Sequence, residues 1–311
     1  MRIIFFGSDD FAEVNLRKLI DSPHEIAACV TPPDRPQGRG LKIAASPIKL
    51  CAQQFRIPLF QPTGVGEKEF LENIRTIDPD LFVVISYGLI LPKSFLSIPK
   101  KMAVNVHPSL LPKYRGAAPI NWAIINGETK TGISIIKMNP RMDAGDVIAV
   151  EEVGIIESDT AKLLRTKLAG ISGHLLVKAV NAIEADDFSL TPQDDAQASY
   201  APKLIREMGR VEWEDPAAKI YNRARGLQPW PGVFTYFQGK RVKLSKTRAV
   251  DEQHGRAVPG EVIDVRPDGI LAAAGTGSLL IEKVQPESGK VMDAADFAAG
   301  RQISKGSAFN V

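Results

Sequence analysis

Short apolar runs alternate with amphipathic stretches through the first half of the chain. Arg2–Gly7, Ile26–Thr31, Leu81–Ser86 and Met102–His107 are rich in Val, Ile and Phe and bounded by turn residues, which predicts strands. Phe11–Ile20, Pro47–Phe55 and Phe70–Ile77 instead repeat their apolar positions at helical spacing. Strand and helix in alternation predict an α/β fold with a doubly wound, mostly parallel, Rossmann-like sheet. Thr131–Met138 and Val147–Val153 flank a turn-rich segment and predict a strand pair, and Thr160–Ile183 reads as one long helix closing the domain.

The pattern then changes. A polar stretch from Asp186 to Arg206 reads as a linker. Beyond it Val233–Phe237, Arg241–Ser245, Gly260–Val265, Ile270–Ala274 and Leu279–Val284 predict five short strands between Gly and Pro turns. Strands of this length and spacing predict a small C-terminal β-barrel of oligonucleotide-binding (OB-like) type. The expected boundaries are 1–188 for the first domain, 189–206 for the linker and 207–311 for the barrel. At the first strand-to-helix turn, Gly7-Ser8-Asp9-Asp10-Phe11-Ala12 lacks the second and third glycines of a dinucleotide fingerprint, so no nicotinamide or flavin site is read there. Gly7 is expected to permit the tight turn, and Asp9 or Asp10 to cap the helix.

Composition changes this picture little. With 311 residues, 44% of them hydrophobic and 24% charged, the chain is ordinary globular material long enough for two domains. It has no apolar run long enough for a membrane span. Met1–Gly7 reads as a first strand rather than a signal peptide. Two cysteines, Cys29 and Cys51, without metal-ligand spacing, fit a reducing cytoplasm. The net charge of +3 lies wholly after residue 205, where 16 Lys and Arg face 13 Asp and Glu. Its densest part is Lys240-Arg241-Val242-Lys243-Leu244-Ser245-Lys246-Thr247-Arg248. The alternation around Lys243 and Lys246 suggests a strand with one solvated basic face. Such a face serves either as an edge protected by lysines or as a patch for nucleic-acid phosphate.

The strongest chemical signal is Asn105-Val106-His107-Pro108-Ser109-Leu110-Leu111-Pro112. On a strand, Asn105 and His107 point to the same side, and Pro108 ends the strand so that both lie at its carboxyl end, where open α/β sheets bind ligands. An amide and an imidazole there can donate to a developing oxyanion, and the imidazole can also handle a proton. A histidine merely hydrogen-bonded at a strand terminus is the alternative. Met142-Asp143-Ala144-Gly145-Asp146 reads as a turn, with Gly145 supplying a positive φ, and Asp143 becomes interesting as a carboxylate that orients His107. No Gly-x-Ser-x-Gly elbow occurs, and neither cysteine has a predicted His partner. His24, His174 and His254 are scattered, so no metal is expected.

The run Asn-Val-His-Pro-Ser-Leu-Leu-Pro-Lys-Tyr-Arg-Gly-Ala-Ala-Pro-Ile at 105–120 resembles the signature of the folate-dependent formyltransferases. That resemblance implies an Asn–His–Asp constellation of Asn105, His107 and Asp143. It implies a folate-binding loop at Ser86, Tyr87, Gly88, Leu89 and Ile90, whose backbone meets the pterin edge while apolar side chains cover the ring. Ser109, Leu110, Leu111 and Pro112 join that site. Pro32-Pro33-Asp34-Arg35-Pro36-Gln37-Gly38-Arg39-Gly40, running to Ser46-Pro47-Ile48-Lys49, and the Gln228-Pro229-Trp230-Pro231-Gly232 segment are similar to those of the methionyl-tRNA formyltransferase family. In that family the first of these is an inserted loop, which implies tRNA contacts at Arg35, Arg39 and Lys42. A basic C-terminal barrel adds Lys240, Arg241, Lys243 and Lys246.

The resemblance thus implies a monomeric cytoplasmic enzyme, free of membrane, that uses 10-formyltetrahydrofolate and no metal. It formylates the α-amino group of methionyl-initiator tRNA by direct amine attack. Formylation of an amino-sugar nucleotide, hydrolysis of the folate to formate, and a non-catalytic RNA-binding module are the competing readings. The Arg39 loop argues against the first two, and the intact Asn105, His107 and Asp143 against the third.

Overall fold

The computed structural model describes residues 1–37, 42–252 and 255–309. The chain forms two compact units. The first comprises Met1–Pro119, Lys130–Gly154 and Arg165–Ala201, the second Ile120–Thr129, Ile155–Leu164 and Pro202–Val311. These units are not contiguous in sequence, unlike the 1–188 and 207–311 division expected. Residues 189–201 of the expected linker fold with the first unit, where Thr191 bridges to Val147 and Tyr200–Ala201 pairs with Arg115–Gly116. Residues 155–164 fold with the second. There the buried Arg225 donates through Nη1 to the carbonyls of Ile156, Glu157 and Asp159, at 3.1, 3.0 and 2.9 Å. Three carbonyl acceptors offset the cost of burying that guanidinium.

The chain opens with β1 (Arg2–Gly7), α1 (Asp10–Ile20) and β2 (Glu25–Val30), then a short antiparallel pair, β3 (Arg35–Gln37) and β4 (Lys42–Ala44), where only a loop was expected. Next come α2 (Pro47–Phe55), β5 (Leu59–Phe60), α3 (Lys68–Ile77), β6 (Leu81–Ile85), α4 (Lys93–Leu96) and β7 (Met102–His107). Then follow β8 (Arg115–Gly116), α5 (Pro119–Ile125), β9 (Lys130–Lys137), β10 (Val147–Gly154), α6 (Ala161–Glu184) and β11 (Tyr200–Ala201). Seven strands form one sheet in the order β10-β9-β7-β6-β1-β2-β5. β2, β1, β6 and β7 run parallel, and the predicted strand pair, β9 and β10, supplies the antiparallel edge.

Ile3 to Phe6 of β1 and Leu81 to Ile85 of β6 are buried throughout, because a doubly wound sheet is covered on both faces. Phe6 meets the rings of Phe82, Tyr87 and Phe95 at 5.0, 5.4 and 5.7 Å between centroids, all edge-to-face. β2 and β5 lie to one side of β1 while β6 and β7 lie to the other. The winding therefore reverses between β1 and β6 and leaves a crevice outside their carboxyl ends. The Ser8 hydroxyl donates across it to the Ser86 carbonyl. Asp9 caps α1, accepting from the Ala12 N–H at 3.0 Å. Gly7 is needed for room rather than for a turn conformation: a Cβ there would lie 2.8 Å from the Ala12 Cβ.

In the second unit α7 (Ala217–Gly226) precedes β12 (Val233–Phe237), β13 (Lys240–Val250), β14 (Val262–Arg266), β15 (Gly269–Ala273), β16 (Ser278–Pro286), β17 (Met292–Asp293) and α8 (Ala294–Arg301). The five predicted strands all form, in the antiparallel order β12-β13-β16-β15-β14, and β17 adds to β16. β13 runs on past Ser245, where the predicted strand stopped. Strict alternation would turn Lys246 to the buried side of Leu244. A register shift on either side of Lys246 returns it to solvent and buries Thr247 instead.

Candidate active site

β7 delivers Asn105 and His107 to the carboxyl edge of the sheet, and both approach one carboxylate. Asn105 Nδ2 lies 3.4 Å from Asp143 Oδ1, a long hydrogen bond, and His107 Nδ1 lies 3.7 Å from Asp143 Oδ2. The backbone N–H of Gly116 donates to that same Oδ2 at 2.8 Å. The other ring nitrogen, His107 Nε2, sits 2.9 Å from the Tyr114 carbonyl. A carbonyl only accepts, so Nε2 carries the proton and Nδ1 is the nitrogen turned to the carboxylate. His107 is 4% exposed, so its ring is held rather than free to swing.

The turn carrying Asp143 differs from the sequence expectation in one respect. The left-handed residue is Asp143 itself, with φ 49°, and not Gly145. Aspartate tolerates that conformation better than most side chains. Gly145 is required because its α-carbon passes against the end of β9: a Cβ would lie 1.8 Å from the Lys137 carbonyl oxygen. Gly145→Ala is therefore expected to lever the turn off β9. The overpacking cost should be about 3 kcal/mol, at the top of the usual range. Urea denaturation should show a lower midpoint, and turnover should fall with it.

Around this turn the structure assembles groups that sequence reasoning left unassigned. Gln193 Nε2 donates to the carbonyls of Asp143 and Gly145, at 2.8 and 2.7 Å. Its Oε1 accepts from Arg115 Nε and Nη2, at 3.0 and 2.8 Å. Arg115 is buried and pairs with Asp195 at 2.9 Å, and Asp195 also takes two bonds from Arg141. Hydrogen bonds from Arg141 and then Arg115 hold the Asp195 carboxyl below the usual carboxylate range, so it stays anionic. Arg115 and Gly116 lay within the recognised 105–120 run without a role, and a lone Gln in a polar stretch carries no signal of its own.

The predicted folate loop follows β6. Ser86 and Gly88 adopt positive φ, 51° and 81°. Leu89 and Ile90 are exposed, Ile90 at 81%, which leaves apolar surface to cover a planar ring. Tyr87 turns the other way: its ring packs against Phe6, and burial pushes its hydroxyl up to about 12. It can offer a ligand only its backbone. Ser109 is fully buried, its hydroxyl donating to the Lys113 carbonyl at 2.6 Å and its own carbonyl accepting from Ser134 at 2.7 Å. It braces the loop, while Leu110, Leu111 and Pro112 are half-buried. The groups here able to meet a planar ligand are the exposed side chains of Leu89 and Ile90 and the positive-φ backbone of Ser86 and Gly88.

Of the predicted tRNA contacts, Arg39 lies outside the described residues. Arg35 and Lys42 are placed by their backbone, at the outer and inner ends of the β3–β4 pair. Lys240 and Lys246 are exposed and Arg241 and Lys243 half-buried. Arg241 stacks over the Phe234 ring at 5.5 Å, and Lys246 pairs with Glu282 at 3.2 Å. Among the described residues no group of His, Cys, Asp and Glu is arranged to hold a metal ion, and no helix is long and apolar enough to cross a membrane. Cys29 and Cys51 are buried, and burial pushes the Cys29 thiol up to about 12, so it supplies no thiolate nucleophile.

A family model described as formyl transferase matches residues 1–180, and one described as formyl transferase, C-terminal domain, matches residues 203–302. The methionyl-tRNA formyltransferase of Desulforamulus reducens is 41% identical over 306 residues, covering 98% of this chain and 96% of its own. That of Syntrophus aciditrophicus is 42% identical over 304 residues, covering 98% and 97%. Among solved structures, the N-formyltransferase from Helicobacter canadensis in complex with folinic acid and dTDP-3-aminofucose matches with a TM-score of 0.70 at 16% identity, over 92% of this chain and 99% of its own. HypX from Aquifex aeolicus, in complex with tetrahydrofolic acid, matches with a TM-score of 0.63 at 20% identity over 96% of this chain, which spans 47% of that longer protein. At such identities these two structures show a shared fold.

Proposed function

The chain belongs to the formyl transferase family, and from that premise we propose that it transfers the formyl group of 10-formyltetrahydrofolate to the α-amino group of methionyl-initiator tRNA, serving translation initiation. The observation that carries the choice of acceptor is the end-to-end match, at about 42% identity, with relatives named for that activity. The approach of Asn105 and His107 to Asp143 supports the chemistry.

The folate supplies an activated formyl carbon. The amine lone pair forms the new C–N bond, the bond to the folate nitrogen breaks, and the proton shed by the amine goes to that departing nitrogen. Asn105 keeps one amide hydrogen clear of Asp143 and can donate it to the developing oxyanion. His107, with Nε2 committed to the Tyr114 carbonyl, presents Nδ1 toward Asp143, where it can take up a proton from the attacking amine and then donate it. Asp143 orients the ring and relays the amine proton, its own position set by the Gly116 N–H. Leu89 and Ile90 cover the pterin ring, and backbone groups from Ser86 to Gly88 bond its edge.

Arg35, Arg39 and Lys42 on the inserted segment, and Lys240, Arg241, Lys243 and Lys246 in the second unit, are assigned to phosphate contacts. The test of the function is product identity. Mild base treatment of methionyl-initiator tRNA incubated with enzyme and donor should release N-formylmethionine, and release of methionine alone would reject the proposal. The polyanionic acceptor also predicts salt sensitivity. The Michaelis constant for the tRNA should rise at least about tenfold from 50 to 200 mM salt, with a slope of roughly 0.9 per neutralised phosphate. A flat profile would remove these cations from binding.

A further inference from the structure

Asp143 stands in a backbone conformation that few residues adopt, in a turn that Asn139 braces locally, its Nδ2 donating to the Ala144 carbonyl at 3.0 Å and its Oδ1 accepting from the Arg141 N–H at 2.9 Å. A second grip, on the carbonyls of Asp143 and Gly145, comes from about 50 positions later, in a stretch whose composition reads as a linker. Gln193 reaches in from there with an amide whose two hydrogens are both used, one on the Asp143 carbonyl and one on the Gly145 carbonyl. The amide therefore straddles the turn. Its orientation is not free, because carbonyl oxygens accept and guanidinium nitrogens donate, so only one flip state satisfies both neighbours. Arg115 fixes that state by directing Nε and Nη2 at Oε1. Arg115 is itself 2% exposed and anchored on Asp195, which also binds Arg141, two residues before Asp143. The chain of contacts thus leaves the turn at Asp143 and returns to it at Arg141. The residue after Arg115 contributes the N–H that holds the Asp143 carboxylate.

We infer that Gln193 is a positioning residue for formyl transfer: locked by Arg115, its amide fixes the Asp143 turn so that the carboxylate stays trained on Asn105 and His107. The inference rests on the reading that Asp143 takes part in the chemistry. It makes residues 191–195 a working part of the active site and Asp195 the far anchor of the Asp143 carboxylate. Gln193 touches no reacting atom and acts through Asp143 alone. It therefore influences the rate of the chemical step and not the affinity for either substrate.

Gln193→Glu is the discriminating variant, since it keeps shape and partner volume, can still pair with Arg115, and loses both donors to the turn. Small displacements of a catalytic group cost on the order of 10²-fold, so single-turnover formylation should fall by about 10- to 100-fold. The Michaelis constants for folate and tRNA should stay within about twofold of the parent, and the thermal midpoint should fall by only a few degrees, leaving the variant folded at the assay temperature. Placed in an Asp143→Asn background, Gln193→Glu should cause no additional loss, because two residues acting through one group are not additive. Arg115→Lys, which keeps the charge toward Asp195 but not the two-pronged grip on Oε1, should show the same signature in weaker form. Full turnover in Gln193→Glu would overturn the inference. So would a rate loss that persists undiminished in the Asp143→Asn background, or one matched by loss of folded protein at the assay temperature. Full turnover in Asp143→Asn alone would instead remove Asp143 from the chemistry, a separate failure.

Discussion

Replacing His107 with Ala is expected to lower the turnover number by a factor on the order of 10²–10³, the usual loss when one oxyanion donor disappears. The structure argues that this loss is chemical. The ring is buried, one nitrogen is tied to the Tyr114 carbonyl and the other faces Asp143 at 3.7 Å, so little of it is available for generic binding. Removing it deletes the Nδ1 site for proton transfer and the partner of Asp143 at once, while the Leu89–Ile90 surface proposed for folate is untouched. Folate affinity measured by fluorescence titration should therefore remain near that of the parent while single-turnover formylation collapses. Wild-type rates in His107→Ala would show that the site lies elsewhere on the fold. Equal loss of folate binding and rate would show that His107 serves the pocket and not the reaction.

Phe6→Ala is expected to produce a large loss of stability. The ring is fully buried and meets Phe82, Tyr87 and Phe95 edge-to-face, so truncation forfeits both buried area and aromatic pairing. Aromatic-to-alanine changes in such cores cost about 3–5 kcal/mol. At roughly 2–4 °C per kcal/mol the unfolding midpoint should drop by about 10 °C. Calorimetry should show that loss in the transition of the first unit. Because Tyr87 packs on Phe6, the loop after β6 should loosen as well, and the Michaelis constant for folate should rise at temperatures where the variant is still folded. A shift below about 1 kcal/mol would mean that neighbouring rings refill the space.

Much of the frame was legible because local rules suffice for it. β1, β7 and β12 form over the residues that their apolar runs predict, since a strand ends where Gly or Pro withdraws a partner. Asp9, one of the two aspartates expected to cap α1, does so. What escaped depends on contacts between distant segments. The need for glycine at 145 arises from the Lys137 carbonyl, which approaches only once the turn folds back on β9. The burial of Tyr87, in a loop that reads as ligand-facing, follows from packing against Phe6 of β1, which no periodicity announces. Lys246 reaches solvent through a register shift set by pairing with β16. Gln193 sits in a polar stretch whose composition is that of a linker, and its role exists only because Val147 and Thr191 bring that stretch beside the Asp143 turn. Asn105 and His107 were readable from strand geometry and Asp143 as a carboxylate that could orient His107, whereas joining all three into one constellation needed the resemblance to a known family.

The most direct test is acceptor choice. Enzyme, labelled 10-formyltetrahydrofolate, methionyl-initiator tRNA and an amino-sugar nucleotide should be incubated together and the label followed. The account predicts label on the α-amino group of the methionyl ester, with none on the sugar and no free formate beyond the uncatalysed background. Label on the sugar, or formate as the sole product, would keep Asn105, His107 and Asp143 as the chemical centre and contradict the assignment of the acceptor.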